Sequence, residues 1–484
     1  MVQNSVKLNA LMNTIRTIST MIFPLITFPY TSRILGPEGV GKISFATSFV
    51  SYFILLASIG IPLYGIREIA RVRDDKNKLS ELTQELFVMH LITSIIISSI
   101  FIILIFLNGK LYDEKTLFFI VSFSIILTTL GMEWLYQGLE QYSYITIRSI
   151  IFSAVFTIAI FVFINNEDDY LISATIGVFA SLGSSLLNFY NARKILFAKR
   201  TEPWNFKRHF KPLSLVYLLN FTVSIYIQLD TVMLGFLSSA KDVGYYSSGL
   251  KINKMLLALV TSLGTVLLPR LSYYIANDMK AEFNKMLKKS FEVIWILCLP
   301  MVAALMLLSK EIIVLFAGNL YIPASICIVI TAPIILFIGL SNIFGIQILY
   351  PLGRDKEVVY SVGAGAIISF SLNFLLIPHF SHVGAAMATL SSELVVLIIM
   401  VLLMPKEYRI LMPFSTIQKY SIATAFLIIL ILSIKFTIST YWLRLVIAIP
   451  SGVILYFLSL LLMKESLILE VKLKIKERIS HAKV

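Results

Sequence analysis

Ser247, Lys251, Lys254, Thr261 and Thr265 follow each other at steps of three, four or seven through the apolar stretch 243–270. That spacing puts them on one face of a helix. A lysine near the centre of a membrane helix costs about 2.5–3.5 kcal/mol, and is tolerated where its face looks into water or at a partner charge. The stretch therefore reads as one wall of a wet, cationic cavity suited to anionic groups. A second stripe, Asn9, Asn13, Arg16, Thr20, Pro24, Thr27 and Thr31, runs at steps of three or four. A third joins Tyr217, Asn220, Ser224, Gln228 and Thr231, with Asp230 beside it. Arg16, Lys251, Lys254, Arg67, Arg270, Asn220, Gln228 and Asn13 are the candidate cavity residues. The alternative for each serine or threonine is a bond to its own helix backbone. For Arg33, Arg67 and Arg270, near helix ends, it is snorkelling to lipid headgroups.

Acids and aromatics add a second group. Asp230 and the isolated Glu393 are candidates for ion coupling or charge pairing. The run Glu133-Trp134-Leu135-Tyr136-Gln137-Gly138-Leu139-Glu140 carries two carboxylates and two aromatics at the end of an apolar stretch. Glu133, Trp134, Gln137 and Glu140 are read as a gate, with Arg148 pairing Glu140 or Glu133. An aromatic-belt turn is the other reading of this run. Enzyme signatures are missing. There is no phosphate-binding Gly-x-x-x-x-Gly-Lys-Ser/Thr and no His-Glu-x-x-His. His379 and His382 have no further obvious ligands nearby, so no metal and no cofactor is expected.

These residues need membrane helices to position them. The 484 residues are 58% hydrophobic and 14% charged, against about 25% charged in soluble domains. An all-α, polytopic membrane protein is expected. The formal charge of +14 is read as loop bias in a membrane protein rather than as a nucleic-acid surface. Cys298 and Cys327 lie in apolar runs and read as small buried hydrophobes. Fourteen apolar stretches of spanning length lie near 9–34, 40–66, 83–107, 116–137, 144–164, 171–195, 212–236, 243–270, 291–316, 324–350, 358–378, 383–404, 416–436 and 441–463. Lysine and arginine cluster in the loops after spans 2, 6, 8, 10 and 12 and in the tail. The opposite loops are short and acidic or neutral, as in Gly36-Pro37-Glu38-Gly39 and Pro378-His379-Phe380. The positive-inside rule then puts both termini in the cytoplasm. The tail 464–484 alternates lysine with apolar residues, as an interfacial helix or a frayed basic end would.

An offset of 203 maps Val40-Gly41 onto Val243-Gly244, Ser44 onto Ser247, Arg67 onto Arg270 and Asp75 onto Asp278. An offset of 214 maps Gly131 onto Gly345 and Leu135-Tyr136 onto Leu349-Tyr350. A six-span repeat predicts two parallel lobes, 1–211 and 212–405, with spans 13–14 at 406–463 and a basic tail at 464–484. Parallel repeats around a midplane site are a transporter architecture.

The chain resembles the bacterial polysaccharide flippases of the multidrug/oligosaccharidyl-lipid/polysaccharide exporter superfamily. The resemblance is carried by Pro29-Tyr30-Thr31-Ser32-Arg33-Ile34-Leu35-Gly36-Pro37-Glu38-Gly39-Val40-Gly41, by Tyr64-Gly65-Ile66-Arg67-Glu68-Ile69-Ala70, by Glu133–Glu140, and by Leu352-Gly353-Arg354-Asp355-Lys356. Leu263–Ser272 is similar to the end of the eighth helix of lipid II flippases. Those relatives carry a cavity arginine close to the position of Lys251, whereas the arginines of their first helix do not fall cleanly on Arg16. The resemblance implies a non-enzymatic transporter in the bacterial plasma membrane. It would turn undecaprenyl-pyrophosphate-linked oligosaccharide, a capsule, exopolysaccharide or teichoic-acid repeat unit, from the inner to the outer leaflet by alternating access. Expected partners are that lipid, membrane lipids, a coupling proton or sodium ion, and polysaccharide polymerase machinery, with no nucleic acid. The alternatives are a cation-coupled multidrug exporter of the same superfamily, which should show an acid-rich cavity, and a membrane polymerase, which should show a large outer loop.

Overall fold

The computed structural model describes residues 6–409 and 414–470, and the basic tail beyond lies outside them. The described chain is helical, with no strand among the described residues. It divides into two compact units, Met1–Gly244 and Tyr245–Val484. The first contains α1 (Val6–Ser58), α2 (Ile61–Val72), α3 (Lys76–Leu107), α4 (Gly109–Asp113), α5 (Lys115–Gly131), α6 (Glu133–Gly138), α7 (Tyr142–Phe163), α8 (Tyr170–Leu196) and α9 (Lys207–Leu237). The helix α10 (Ala240–Ala276) runs from the first unit into the second. The second unit continues with α11 (Lys280–Leu307), α12 (Ser309–Ala317), α13 (Ser325–Thr331), α14 (Ile334–Asn342), α15 (Asp355–Leu403), α16 (Lys406–Arg409), α17 (Phe414–Thr437) and α18 (Tyr441–Leu462).

Ten described helices are long and apolar enough to cross a membrane, and eleven if the bent pair Asn319–Thr331 and Ile334–Leu349 is one span. That count is lower than the fourteen expected, because α1 and α15 each run through two expected spans, the expected span 212–236 is met only by the shorter apolar stretch Tyr226–Leu237, and the expected span 324–350 is the bent pair. At 1.5 Å per residue the 53 residues of α1 reach about 80 Å, well over the ~30 Å hydrocarbon core. Its backbone leaves helical geometry at Gly36 (φ 63°, ψ 178°), inside the expected turn. α15 does the same at Ser381 (φ 48°, ψ −126°), just past the expected Pro378-His379-Phe380 turn. The expected second span stops early, at Ser58, because Ile59 (φ 43°) and Gly60 (φ 77°) turn the chain before α2.

Exposure follows the bilayer. Phe106, Ile158, Phe179 and Ile367 are each more than 60% exposed. Large apolar side chains left outside on helix after helix face lipid, not water. At the polar ends the helices are capped. Asp75 accepts the backbone N–H groups of Asn77 at 3.1 Å and Lys78 at 3.2 Å at the start of α3. Those bonds, that from Lys78 first, hold its carboxyl below the usual carboxylate range. Cys298 and Cys327 are buried and are not joined in a disulfide.

Within the first unit the repeat-related glycines Gly41 and Gly244 mark a close backbone approach. A Cβ on Gly41 would run into the carbonyl of Ala240, and one on Gly244 into the carbonyl of Pro37. Backbone cannot swing aside as a side chain does, so Gly41→Ala should destabilise the protein by about 1–3 kcal/mol. Gly363→Ala, where nothing lies within 4 Å of the added Cβ, is the matched control. Thermal unfolding of both solubilised variants checks the difference, and equal midpoints would refute the contact.

In the second unit α17 and α18 pack on each other and on α11 and α12. Leu308, Leu427, Ile431, Ile434, Leu445 and Ala448 form the apolar seam. Glu311 of α12, 1% exposed, pins that seam by accepting from Arg444 at 2.8 Å, with Lys435 at 3.5 Å.

Candidate functional site

The candidate site is assembled around the junction of α5 and α6. Helix α5 stops at Gly131, α6 starts at Glu133, and Met132 between them is left-handed (φ 39°). The buried Asn188 of α8 fixes the break. Its side-chain amide donates to the Gly131 carbonyl, one of the acceptors that a helix end leaves open. Its side-chain oxygen accepts from the Tyr144 hydroxyl at 3.0 Å, and its backbone carbonyl accepts from the Tyr136 hydroxyl.

Glu133 then takes two guanidinium groups. Arg16 Nη2 donates to Oε2 at 2.8 Å, and Arg148 Nη2 donates to Oε1 at 2.8 Å. The Arg148 side chain is 3% exposed, that of Arg16 22%, and the carboxylate 42%. Arg148 Nη1 also donates to the Ser184 carbonyl at 3.4 Å. Beside this triad the Thr146 hydroxyl donates to the Met12 carbonyl at 2.9 Å, fastening α7 to α1. Of the two acids expected for Arg148, Glu133 is the partner. Glu140 accepts instead from Arg73 at 2.6 Å and stands apart from the triad's ion pairs.

Two cavities of the first unit share a wall here. One of about 420 Å³ is lined by His90, Glu133, Trp134, Gln137 and Arg148, among others. The other, of about 390 Å³, is lined by Ser51, Tyr52, Tyr217 and Gln228 with several apolar residues. Ile54, Ser58 and Pro62 line both. They flank the Ile59-Gly60 corner, so a strained turn separates the two cavities; positive φ is rare for a β-branched residue such as Ile59. Four of the five residues expected to form a gate therefore meet around one cavity.

Among the described residues the expected polar stripes are not uniform. Thr20, Thr27, Thr31 and Thr261 donate to backbone carbonyls of their own helices, the alternative foreseen for hydroxyls. Asn13 is exposed. Ser48 and Gln228 approach each other at 3.5 Å. Asp230 is buried within electrostatic reach of Tyr52. Lys251 is half-buried and Lys254 exposed. Glu393 is half-buried rather than fully enclosed, because its place on α15 leaves one side open. Arg67 and Arg270 are exposed and engaged locally. Arg67 donates to Glu68 at 3.0 Å, and Arg270 to the Tyr274 hydroxyl at 2.8 Å. The side chains of Asn220 and Thr265 lie outside the described residues. No group of three or more potential metal ligands occurs among the described residues.

Sequence reasoning passed over two acids and two histidines. Glu85, 1% exposed, receives Arg200 at 2.9 Å, Arg208 at 2.5 Å and His209 at 2.9 Å. It also accepts the Asn205 backbone N–H at 2.9 Å. Glu81 accepts the backbone N–H groups of Thr201 at 3.0 Å and Glu202 at 2.9 Å. A carboxylate only accepts, so His209 Nε2 carries the proton toward Glu85, and Nδ1 shares a hydrogen bond with the Tyr64 hydroxyl at 2.8 Å. These acids hold the segment between α8 and α9 onto α3. His90 is a buried member of the larger cavity. An ionisable residue in an apolar run is the signal that could have found both His90 and Glu85.

Comparison with known proteins places the chain among transport proteins. A family profile described as "Polysaccharide biosynthesis protein" matches residues 6–275, and one described as "MatE" matches residues 216–375. A "Putative O-antigen transporter" of Escherichia coli (strain K12) is 27% identical over 403 residues, covering 79% of this chain and 93% of that protein. A "Probable flippase AglR" of Haloferax volcanii is 24% identical over 211 residues, 43% of this chain and 44% of that protein. In fold, the chain is similar to the solved "Lipid II flippase MurJ, inward closed conformation", with a TM-score of 0.77 at 15% identity, covering 95% of this chain and all of that one. It is also similar to an inward-facing multidrug resistance MATE family transporter, with a TM-score of 0.63 at 12% identity, covering 85% and 99%.

Proposed function

The chain belongs to the polysaccharide biosynthesis protein family, and from that premise we propose that it is a flippase for undecaprenyl-pyrophosphate-linked oligosaccharide in the bacterial plasma membrane. The observation that carries this reading is the match to an O-antigen transporter over 93% of that relative's length. The fold shared with a lipid II flippase supports it. Sugar and pyrophosphate cannot cross hydrocarbon without replacement of their hydration. Cations on membrane helices supply that replacement. Lys251, Lys254 and Arg16 hold the phosphates, with Arg67 and Arg270 guiding entry and release, and Asn13, Asn220 and Gln228 taking sugar hydroxyls. The repeats 1–211 and 212–405, with spans 13–14 and the tail appended, alternate access to the two leaflets, and both termini are cytoplasmic. Asp230 and Glu393 are the proposed coupling or pairing acids for a proton or sodium ion. The Glu133 cluster gates the passage, and polymerase machinery takes the delivered unit.

The test is complementation. The chain is expressed in a strain lacking its own repeat-unit flippase, candidate lipid-linked repeats are supplied, and surface polymer is scored. Restored polymer is expected with the matching repeat. One charge-assisted hydrogen bond is worth about 1.5–3 kcal/mol, so Lys251→Ala at normal membrane level should lower polymer by about ten- to a hundredfold. Full activity of Lys251→Ala and Lys254→Ala would sink the lysine site. The match to the MatE family favours a second reading, a cation-coupled multidrug exporter. Drug resistance conferred by the chain, with no polymer rescued, would favour it over flipping.

A further inference from the structure

The larger cavity of the first unit contains donors that the Glu133 triad does not use. Arg148, Trp134 and His90 are 4%, 3% and 2% exposed, and all three line the cavity. Arg148 Nε, Trp134 Nε1 and both ring nitrogens of His90 have no hydrogen-bond partner among the described residues. Buried polar atoms in native proteins are met by protein, water or ligand. Their chemistry is one-sided. A guanidinium Nε–H and an indole N–H can only donate, and a neutral imidazole adds one further N–H. The charge is one-sided too. Arg16 and Arg148 share the single carboxylate of Glu133, so this cluster keeps one uncompensated positive charge. An acceptor-rich, negatively charged guest completes both the hydrogen bonding and the charge, which water alone does not.

We propose that this cavity is a binding site for a small oxyanion of phosphate size, held by Arg148 Nε, Trp134 Nε1 and an N–H of His90. The anion is a free phosphate or the phosphate of a lipid headgroup; both present the same oxygens. The site sits inside the cluster read as a gate, and it gives Trp134 and Arg148 a ligand of their own. It does not depend on the transport reading, since the anion binds with no oligosaccharide present.

The full chain in nanodiscs of zwitterionic lipid, free of phosphate buffer, is titrated with inorganic phosphate. Tryptophan emission and thermal unfolding are read together. Saturable stabilisation is expected, with an emission change that Trp134→Phe abolishes. His90→Leu and Trp134→Phe remove no hydrogen bond seen in the structure, so both should fold. His90→Leu should weaken phosphate binding about tenfold through loss of one donor to a charged acceptor. Arg148→Lys keeps a cation for Glu133 but loses Nε, and should weaken binding at least as much. A second arm omits phosphate and includes phosphatidylglycerol or undecaprenyl phosphate in the nanodisc. Stabilisation in that arm alone, lost in His90→Leu, identifies the headgroup as the source. Stabilisation in neither arm, or an identical response of His90→Leu and Arg148→Lys to wild type, overturns the site while leaving the complementation test untouched.

Discussion

Glu133→Ala is expected to destabilise the protein by about 3 kcal/mol, the low end of the range for breaking a buried ion pair. The low end applies because the carboxylate is 42% exposed, whereas the Arg148 side chain is 3% exposed and cannot reach water. Removing the acid does two things at once. It strands a buried guanidinium, and it leaves Arg16 facing Arg148 with no charge between them. For a unit of this size the loss should lower the unfolding midpoint by roughly 6–12 °C. Glu133→Asp should lose less, because a shorter carboxylate still accepts from one of the two arginines. The decisive comparison is Glu133→Met with Arg148→Met. A buried pair replaced by apolar residues is often neutral or stabilising, and the remaining Arg16, 22% exposed, can turn to the cavity. The double variant should therefore recover most of the lost stability. If it unfolds as early as Glu133→Ala, the ion pairs are not what Glu133 supplies.

The pairing of Arg148 was half-legible. Two ionisable residues close in sequence, one ending a span and one starting the next, have few other partners in a membrane, so Glu133 or Glu140 followed from spacing alone. Choosing between them needed Met132. Its left-handed backbone aims Glu133 at Arg148 and Arg16, and hydropathy is blind to that conformation. The Gly36-Pro37-Glu38-Gly39 turn was legible because glycine and proline mark breaks directly. The Ile59-Gly60 corner was not, because an apolar run continues through it. The offset of 203 related Gly41 to Gly244, but that both lie at close backbone approaches within the first unit is tertiary information. Arg200 and Arg208 show the opposite failure. They were read as orientation charges in a basic loop, yet Glu85 takes both. Counting the charges of a loop does not say which of them are paired, so the clamp on Glu85 stayed hidden.

Glu85→Leu should cause the other large loss, about 3–5 kcal/mol, and a local one. The carboxylate is 1% exposed and accepts from two arginines, a histidine and a backbone N–H. Leucine fills similar space but leaves His209, 1% exposed, without its acceptor and Arg200, 15% exposed, without its carboxylate, keeping only neutral acceptors such as Gln84 and the Pro203 carbonyl. Arg208 is 47% exposed and can return to water, so Arg208→Ala should be nearly neutral. The strain of the unpaired groups is relieved most cheaply if the segment from Lys199 to Phe206 lifts away from α3. That segment carries Lys199 and Arg200, both trypsin sites. Limited trypsin digestion of the solubilised protein should then cut Glu85→Leu near Arg200 at a rate at least about tenfold above wild type, the change expected for each 1.4 kcal/mol of opening. Glu85→Gln keeps one acceptor oxygen and should fall between. Glu81, which accepts from Thr201 and Glu202, holds the same segment by backbone bonds and slows the opening. Global unfolding would raise cleavage at every basic site together. Selective cleavage at the segment supports a clamp, and an unchanged rate in Glu85→Leu would mean that packing alone holds the segment down.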